Sequence, residues 1–255
     1  MTSFDIVRSL RLNVPVQVAF NNQETLDKLF QRLATQLEPD TLALNEAFTN
    51  EAFFQENGLT KETALTLFIP NSYEFYWNTS ASKIASKMAK EHKKFWTNER
   101  LEKAKALNMT PAQVYTLASI VHKETVKADE RPRVAGAYLN RINQDMPLQA
   151  DPTVIYAIKE KSGDFDQVIK RVGGSNLFVS SPYNTYINKG LPPGPIAMPD
   201  ISAIDAVLNA EKHNYIYFCA DPSRPGYHSF ETTYEAHLVN AKKYADWVNK
   251  LGIKL

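Results

Sequence analysis

The sequence has few of the residues that cross-link or anchor a chain. Among 255 residues there is one cysteine, Cys219, so no intramolecular disulfide can form. No stretch approaches the roughly 18 consecutive apolar residues of a membrane-spanning helix, and the first residues lack the basic start and apolar run of a signal peptide. We therefore expect a soluble globular chain, whose apolar fraction of 44% permits a sizeable core.

An excess of charge of one sign is also absent. The 29 basic residues balance 28 acidic ones and leave a formal net charge of +1, so no overall field favours nucleic acid or an anionic membrane. The five histidines lack the partner spacing of a zinc site, and neither a glycine-rich phosphate loop nor a nucleophilic serine elbow is found. The sequence predicts no metal and no cofactor, and partners have to be inferred from particular sites.

The first hundred residues show both helical and strand patterns. Helical spacing predicts short helices in SFDIVRSLRL, in NNQETLDKLFQRLATQL, and near DTLALNEAF and NEAFFQENG, while VPVQVAF alternates like a half-buried strand. The chain then becomes aromatic and polar, and the candidates for stacking on sugar rings are Tyr73, Phe75, Tyr76 and Trp77. The stretch KMAKEHKKFWTNERLEKAKAL is typical of a solvated helical face.

Clear start signals open the helices of the second half. Thr110 is expected to cap a helix that begins at Pro111, and a second helix follows in ADERPRVAGAYLNRI. Asp151 is expected to cap a third helix, with Pro152 in its first turn. The segment VSSPYNTYINKGLPPGPIAMPD shows neither the helical nor the strand period of apolar residues. It is interpreted as a functional loop whose prolines stiffen the wall of a cleft.

The C-terminal part completes an α+β pattern. A short helix in AIDAVLNA precedes a probable hairpin made of NYIYFCA, the turn DPSRPG and YHSF. A capping box of Thr232 and Glu235 is expected to open the last helix. The apolar face of that helix would comprise Leu238, Ala241, Ala245 and Val248. The predicted fold class is α+β, with a mixed helical domain and a small β-hairpin.

The helix in TPAQVYTLASIVHKET places an acid at the edge of its apolar face. At about 100° per residue, one apolar arc contains Val114, Leu117, Ala118 and Val121. Glu124 lies at the border of this arc, and Ile120 lies on the outer side of the same border. Burial would raise the pKa of such a carboxyl group and keep it protonated near neutral pH, as a general acid requires. From the spacing alone, a boundary glutamate paired with a lysine or arginine is the more common case.

Several motifs in a fixed order resemble one known family. LASIVHKET, ERPRVAGAYLNRI, MPLQADPTVIYAI, PYNTYINKGLPPGPI and HSF, preceded by IPNSYEFYWNTS, are similar to the endolytic murein transglycosylases of the YceG-like family. The resemblance implies cleavage between N-acetylmuramic acid and N-acetylglucosamine in nascent peptidoglycan, with formation of 1,6-anhydro ends that terminate glycan strand elongation. It also implies Glu124, in the KET triplet, as the catalytic residue.

Two positions depart from the family pattern. Family members often carry a glutamate where this chain has His122, and their LQTDP motif appears here with Ala150 in place of threonine. Helix geometry places His122 roughly 160° away from Glu124, so contact between the two side chains is not expected. If the protein is active, the earlier acid is dispensable; if it is inactive, His122 is the first change to examine.

Further site residues are inferred from chemistry and from the family motifs. One glutamate can protonate the leaving oxygen and later take the proton of the attacking hydroxyl. Hydrogen-bonding groups are expected around the reacting sugar. The candidates for substrate binding are Gln149, Asp151, Tyr183, Asn184, Thr185, Tyr186, Asn140 and His228. Each of them could instead have a structural role, such as helix capping, turn packing or side-chain pairing. For Arg141, contact with the substrate and a structural role are weighted equally.

The resemblance also implies an organisation and a location. Residues 1–100 would hold the remainder of a LysM-like α/β subdomain and a helical connector, and residues 101–255 the catalytic domain. The chain would be a soluble, truncated part of a single-pass protein of the cytoplasmic membrane, with its catalytic domain facing the periplasm or wall. Glycan strands and peptidoglycan synthases would be its partners, and nucleic acid would not.

Two other functions stay open. The first is a non-catalytic protein of the cell envelope that binds peptidoglycan and keeps the fold without turnover. The second is a muramidase that uses two carboxylates, Glu124 and Asp151, which ordinary glycosidases place on either side of the bond. The chemistry of the new chain end separates a muramidase from a lytic enzyme.

Overall fold

The structure, a computed structural model, describes residues 2–12, 14–169 and 172–250. It divides into two compact units, Met1–Thr116 with Pro193–Ile201, and Leu117–Pro192 with Ser202–Leu255. Each unit combines helices with one two-stranded antiparallel sheet, so the predicted α+β class is confirmed. Within the described ranges, every helix is too short or too polar to cross a bilayer.

The first unit begins with helix α1 (Ser3–Leu12) and strand β1 (Val16–Phe20), as the sequence predicts. Next come helices α2 (Leu26–Ala34), α3 (Thr41–Thr49) and α4 (Glu51–Asn57), a 3₁₀ turn (Ala64–Leu67), strand β2 (Asn71–Phe75), and helices α5 (Ala81–Phe95) and α6 (Asn98–Ala106). The apolar faces of α2, α3, α5, the 3₁₀ turn and both strands form one core cluster. Strand β2 lies in the aromatic stretch and was not predicted.

The aromatic residues of β2 belong to this core. Strand β2 pairs antiparallel with β1, and Val18 lies opposite Tyr73. Successive side chains of a strand point to opposite faces, so Tyr73 and Phe75 are both buried, and Tyr73 stacks on Phe20 at 5.3 Å between ring centroids. The expectation that Tyr73 and Phe75 stack on sugars is therefore wrong, whereas Tyr76 is 46% exposed.

The lysine-rich stretch forms two helices with solvated faces, as its composition indicates. The break lies before α6, where Thr97 caps the new helix. Lys94 pairs with Glu91 at 2.7 Å, and Lys103 pairs with Glu99 at 2.7 Å. Exposed pairs of this kind contribute little to stability, because water screens the two charges.

Helix α7 (Pro111–Glu124) begins at the predicted residue. The Thr110 hydroxyl accepts a hydrogen bond from the Gln113 amide at 3.2 Å, and the Gln113 side chain accepts one from the Thr110 amide at 2.8 Å. This is a reciprocal capping box, which satisfies two otherwise unpaired backbone donors. All side chains from 114 to 121 are buried, so the predicted apolar arc is too narrow and Ile120 belongs to the core.

The second unit continues with α8 (Arg131–Asn143), α9 (Asp151–Ser162), a 3₁₀ turn (Gly174–Phe178), α10 (Ile201–Leu208), strands β3 (Tyr217–Ala220) and β4 (His228–Glu231), and α11 (Tyr234–Lys250). Strands β3 and β4 form the predicted hairpin, with Cys219 opposite Ser229. Residues 179–200 contain neither helix nor strand, in agreement with the predicted loop.

Two predicted caps are displaced by one residue. Ala150 rather than Asp151 is the N-cap of α9, and the Asp151 side chain makes no capping hydrogen bond. At the last helix, the Thr233 hydroxyl accepts from the Ala236 amide at 3.3 Å, instead of Thr232. The ladder of β4 continues through Glu231, which leaves room for the helix only after this point.

The apolar face predicted for α11 is only partly buried. Val248 is in the core, whereas Leu238 is 48% exposed. Ala241 and Ala245 are intermediate between these two. Four apolar residues at helical spacing therefore do not guarantee a fully covered face, because burial depends on what the rest of the chain supplies opposite them.

Helix α8 approaches the segment that leads into β3 very closely at Gly136. A Cβ atom at this position would lie 2.4 Å from the Glu211 carbonyl oxygen and 2.6 Å from His213 Nε2. Such distances are far below van der Waals contact, so only glycine permits this approach. Gly136 therefore sets the distance between α8 and residues 211–213.

We expect Gly136→Ala to lower the free energy of unfolding by about 1–3 kcal/mol, the usual cost of forcing extra volume into a packed contact. Alanine is the better helix former, so helix propensity alone predicts the opposite sign. Urea denaturation measures the difference. Gly173→Ala is the matched control, because its backbone is extended (φ −179°) and no atom lies within 4 Å of the added Cβ. Equal stability of the two variants would contradict the proposed role of Gly136.

Candidate active site

A pocket of about 260 Å³ lies within the second unit. Its walls come from the end of α7, from α8, the start of α9, the loop and the β3–β4 hairpin. The polar side chains that line it are Glu124, Tyr138, Arg141, Gln149, Asp151, Tyr186 and His228. The remaining wall is formed by Leu148, Phe218, Cys219 and Ala220. Five of the nine residues predicted for the site therefore meet in one cavity.

Glu124 is the last residue of α7, and its carboxyl group is largely enclosed by the pocket wall. The Tyr138 hydroxyl donates to Glu124 Oε2 at 3.1 Å, and among the described residues no lysine or arginine forms an ion pair with it. Burial raises the pKa of Glu124 to about 7; Asp151 adds to this rise, while His228 and the Tyr138 hydrogen bond oppose it. A carboxyl group with this pKa exists in both protonation states near neutral pH.

Asp151 brings a second carboxylate to the same cavity. Its Oδ1 accepts a hydrogen bond of 2.6 Å from the Tyr186 hydroxyl. Burial raises the pKa of Tyr186, and the hydrogen bond to Asp151 raises it further. Tyr186 therefore remains a hydroxyl donor at neutral pH and fixes the orientation of Asp151.

Arg141 crosses the base of the site as a buried guanidinium. Its Nε donates to the Ile216 carbonyl at 2.6 Å, and its Nη1 donates to the carbonyls of Pro147 and Leu148 at 3.2 and 2.8 Å. Burial lowers the pKa of Arg141, but the group remains a cation at neutral pH. The side chain thus both lines the pocket and ties the turn before α9 to the strand β3.

Gln149 occupies a backbone conformation that residues other than glycine seldom adopt. Its φ is 51°, in the left-handed region. Two contacts hold it there, since its amide donates to the Thr185 carbonyl at 3.0 Å and its side-chain oxygen accepts from Arg141 Nη1 at 3.2 Å. The conformation costs about 1–2 kcal/mol, and it directs the amide side chain to the pocket wall.

Three of the predicted loop residues lie behind the pocket instead of lining it. Tyr183 is buried and its ring lies 4.6 Å from that of Tyr156. The Asn184 amide donates to two main-chain carbonyls of the preceding turn, at 3.0 and 2.9 Å. The Thr185 hydroxyl is 2.8 Å from that of Thr153 in α9. These contacts attach the loop to α9 and so support the walls of the site.

Asn140 likewise does not line the pocket. Its amide nitrogen donates to the carbonyls of His213 and Tyr215 at 2.8 and 3.0 Å. This is the pairing alternative that the sequence left open for Asn140, whereas Arg141, one residue later, reaches the cavity.

Neither Glu130 nor Tyr138 was predicted from the sequence as a residue of the site. Glu130 Oε1 accepts from the His228 backbone amide at 2.7 Å, and Oε2 is 2.8 Å from His228 Nδ1. Burial raises the pKa of Glu130, but the hydrogen bonds from His228 outweigh it and leave the pKa below its ordinary value. The two residues are 98 positions apart, and no spacing rule connects them.

His122 does not belong to the residues that line the pocket. Its Nδ1 lies 3.4 Å from Nη2 of Arg131, on another side of the helix. This agrees with the angular separation of His122 and Glu124 that the helix predicts. The departure from the family pattern at position 122 therefore lies outside the pocket lining of this chain.

Cys219 also contributes to the lining of the cavity, but its thiol is not set up as a nucleophile. Burial raises the pKa of the thiol, and the charges of Asp221 and Glu231 raise it further, so it is protonated at neutral pH. In the part of the chain that the structure describes, no three histidine, cysteine or acidic side chains are grouped to hold a metal ion.

The raised pKa of Glu124 predicts how the stability of the folded protein changes with pH. The pKa is about 7 in the folded protein and 4.5 in the reference state, so between these pH values the folded protein binds more protons than the unfolded chain. Stability should therefore fall as pH rises through this window, by on the order of 2 kcal/mol. Glu124→Gln, which cannot ionise, should lack this loss and exceed the wild type in stability above pH ~7.

Urea denaturation of both proteins across this pH range measures the effect. Glu211→Gln is a matched control, because Glu211 pairs with Arg133 at the surface and does not line the pocket. Parallel stability curves for the wild type and Glu124→Gln would show that Glu124 titrates normally.

The chain is similar in sequence and in structure to several known proteins. The model of the YceG-like family matches residues 1–243. The endolytic murein transglycosylase of Bacillus subtilis (strain 168) is 32% identical over 213 residues, which are 83% of this chain and 54% of that protein. The endolytic murein transglycosylase of Streptococcus pneumoniae (strain D39) is 39% identical over 117 residues, which are 46% of this chain and 21% of that protein.

The chain thus spans about half the length of the Bacillus relative and about a fifth of the Streptococcus relative. A solved structure from Listeria monocytogenes, described as YceG-like, superposes with a TM-score of 0.73 at 27% sequence identity, and the match covers 94% of this chain and 81% of that one. Because the family model matches nearly the whole sequence, this chain belongs to the YceG-like family.

Proposed function

We propose that this chain carries the active site of an endolytic lytic transglycosylase that cleaves peptidoglycan glycan strands. The curated relatives are named endolytic murein transglycosylases, and the pocket supplies a group suited to this chemistry. The observation that carries the proposal is Glu124, a carboxyl group with a pKa of about 7 on the wall of a polar cavity. Such a group can give up a proton and take one back near neutral pH.

In the proposed reaction, Glu124 acts first as an acid and then as a base. It donates its proton to the glycosidic oxygen as the bond from C1 of N-acetylmuramic acid to that oxygen breaks. The C6 hydroxyl of the same sugar then attacks C1 and forms the 1,6-anhydro ring, and the Glu124 carboxylate takes the hydroxyl proton. The first proton stays on the leaving hydroxyl group, the second restores the protonated form of Glu124, and no water is consumed.

The remaining predicted site residues are proposed to act in two ways. Gln149, Asp151, Tyr186 and His228 line the cavity, and we assign them to sugar contacts. Tyr183, Asn184, Thr185 and Asn140 are assigned to supporting the wall, because their hydrogen bonds and ring contacts are to the protein. Tyr138 is added as the group that orients Glu124.

One observation favours a second candidate, a muramidase. Asp151 lines the same cavity as Glu124, and its charge contributes to the raised pKa of Glu124. Two carboxylates in one site permit hydrolysis, in which water replaces the C6 hydroxyl and the product has a reducing end. We rank this second, because Asp151 already accepts the Tyr186 hydroxyl.

The organisation of the protein is proposed from the family resemblance. Residues 1–100 are assigned to the remainder of a LysM-like subdomain with its connector, and residues 101–255 to the catalytic domain. A peptidoglycan substrate implies work at the cell envelope, next to peptidoglycan synthases. We further propose that a membrane segment outside this chain holds the natural protein at the cytoplasmic membrane.

The reaction is tested with uncrosslinked glycan strands, whose products are identified by mass spectrometry. We expect internal cleavage with 1,6-anhydro ends, and a loss of about 10²–10⁴-fold in rate for Glu124→Gln, the range for removal of a general acid–base group. Glu211→Gln should cleave like the wild type. Reducing ends would establish the muramidase instead, and binding without cleavage by any variant would indicate the non-catalytic protein.

The pH dependence of kcat/KM provides a separate test. The protonated form of Glu124 starts the reaction, so kcat/KM should decline above pH ~7, about tenfold for each further pH unit. The Tyr138 hydrogen bond lowers the pKa of Glu124, so Tyr138→Phe should move this decline to higher pH. Tyr244→Phe on α11, outside the pocket, is the matched control. If kcat/KM declines at the same pH in Tyr138→Phe as in the wild type, the group that titrates is not Glu124.

A further inference from the structure

One buried carboxylate of the second unit has no role in the reaction as described. Glu130, just before α8, is only 5% exposed, and both of its oxygens engage His228. A buried carboxylate is costly unless its hydrogen bonds are satisfied. Here His228 reaches both oxygens, through its backbone amide and its ring, and the Thr125 side chain adds a further hydrogen bond to the carboxylate. The pair thus does more than join β4 to the start of α8, for which the backbone bond alone would suffice.

The ring bond decides which nitrogen of His228 carries hydrogen. Because the hydrogen bonds from His228 lower the pKa of Glu130, this carboxyl is ionised at neutral pH and can only accept. Nδ1 must therefore carry the hydrogen, and in a neutral imidazole Nε2 is then an acceptor. Phe218 lies edge-on to the ring at 5.4 Å and fixes its plane.

Nε2 of a neutral His228 adds an uncharged hydrogen-bond acceptor to the pocket wall. Tyr138 and Arg141 bring donors, and the protonated form of Glu124 is also a donor. The Asp151 carboxylate already accepts from Tyr186. A sugar presents several hydroxyl groups that must donate when water is excluded, so a further acceptor on the wall has a ready use.

We propose that Glu130 is a positioning residue of the active site, which holds His228 in the Nδ1–H form so that Nε2 accepts a hydrogen bond from a sugar hydroxyl beside Glu124. This inference rests on the proposed action on glycan strands. No covalent step is assigned to His228, and Glu130 does not touch the substrate. The proposed role of Glu130 in the site is exerted through the imidazole ring of His228, whose Nδ1 it contacts.

The first test is spectroscopic and does not depend on turnover. Nitrogen-15 NMR of the imidazole rings distinguishes the two neutral tautomers, and His228→Gln identifies the His228 signals by their loss. We expect the Nδ1–H form in the wild type and a mixture in Glu130→Gln. Addition of a disaccharide of N-acetylglucosamine and N-acetylmuramic acid should shift the Nε2 signal in the wild type. An unchanged tautomer in Glu130→Gln, or an Nε2 signal that does not respond to the sugar, would overturn the proposal.

The second test is a double-mutant cycle on glycan cleavage. Glu130→Gln should lower kcat/KM by roughly 10–100-fold, the range for losing a residue that orients a functional group. In a His228→Gln background the same change should have almost no further effect, because Glu130 acts through the ring. Independent losses that multiply would assign Glu130 a structural role only. Glu211→Gln, the same change at a surface ion pair of the same unit, should leave kcat/KM unaltered.

The two tests separate failure of this inference from failure of the proposed function. If the wild type cleaves no glycan, the proposed function fails, and the tautomer and sugar titration still decide the role of Glu130. If Glu130→Gln does not fold, Glu130→Asp replaces it, since the shorter side chain keeps the charge but cannot reach both donors. It should show a smaller loss with the same non-additivity, and full additivity would again overturn the inference.

Discussion

The proposed active-site pocket depends on one buried cation, the guanidinium of Arg141. Its hydrogen bonds reach the Ile216 carbonyl just before β3 and the carbonyls of Pro147 and Leu148 before α9. An unsatisfied buried charge costs several kcal/mol, so these carbonyls have to converge on the side chain in the folded state. Their convergence brings the hairpin and the start of α9 to the same side of α8, where the pocket forms.

Around this cation, the structure places polar groups where burial changes their chemistry. The enclosure that excludes water from Glu124 is also what raises its pKa to about 7. A carboxyl group in this state weakens the fold at neutral pH and gains the ability to transfer a proton, which is a common relation between stability and activity at active sites. The hydrogen bond from the Tyr138 hydroxyl then lowers the pKa of Glu124, and the charge of Asp151 raises it.

The loop between α9 and α10 contributes by support more than by contact. Only Tyr186 among its four predicted polar residues lines the pocket. Tyr183, Asn184 and Thr185 are buried against α9 and the loop itself, and they hold Gln149 and Ala150 in place through the Thr185 carbonyl and hydroxyl. A polar side chain in a loop can thus serve the site without reaching it, because it fixes the backbone from which other side chains project.

Much of the chain was determined by local sequence. Most of the helices, strand β1, the hairpin and the position of Glu124 at the edge of an apolar helix follow from periodicity and capping, which are local properties of neighbouring residues. The break between α5 and α6 was not predicted. Strand β2 was missed because its alternation is short and its aromatic residues also suit a sugar surface. The caps of α9 and α11 were one residue off, since hydrogen bonds to distant groups and the end of β4 set them.

The sequence by itself determined that one acid, Glu124, stands at an apolar border, but not what surrounds it. Only the tertiary structure decided that its neighbours are Tyr138, Asp151 and His228, and that Glu130 reaches His228 across 98 positions. The physical reason is that helical and strand periods order residues within a few turns. The pKa of a group and the tautomer of a ring depend on side chains that folding brings together from distant segments.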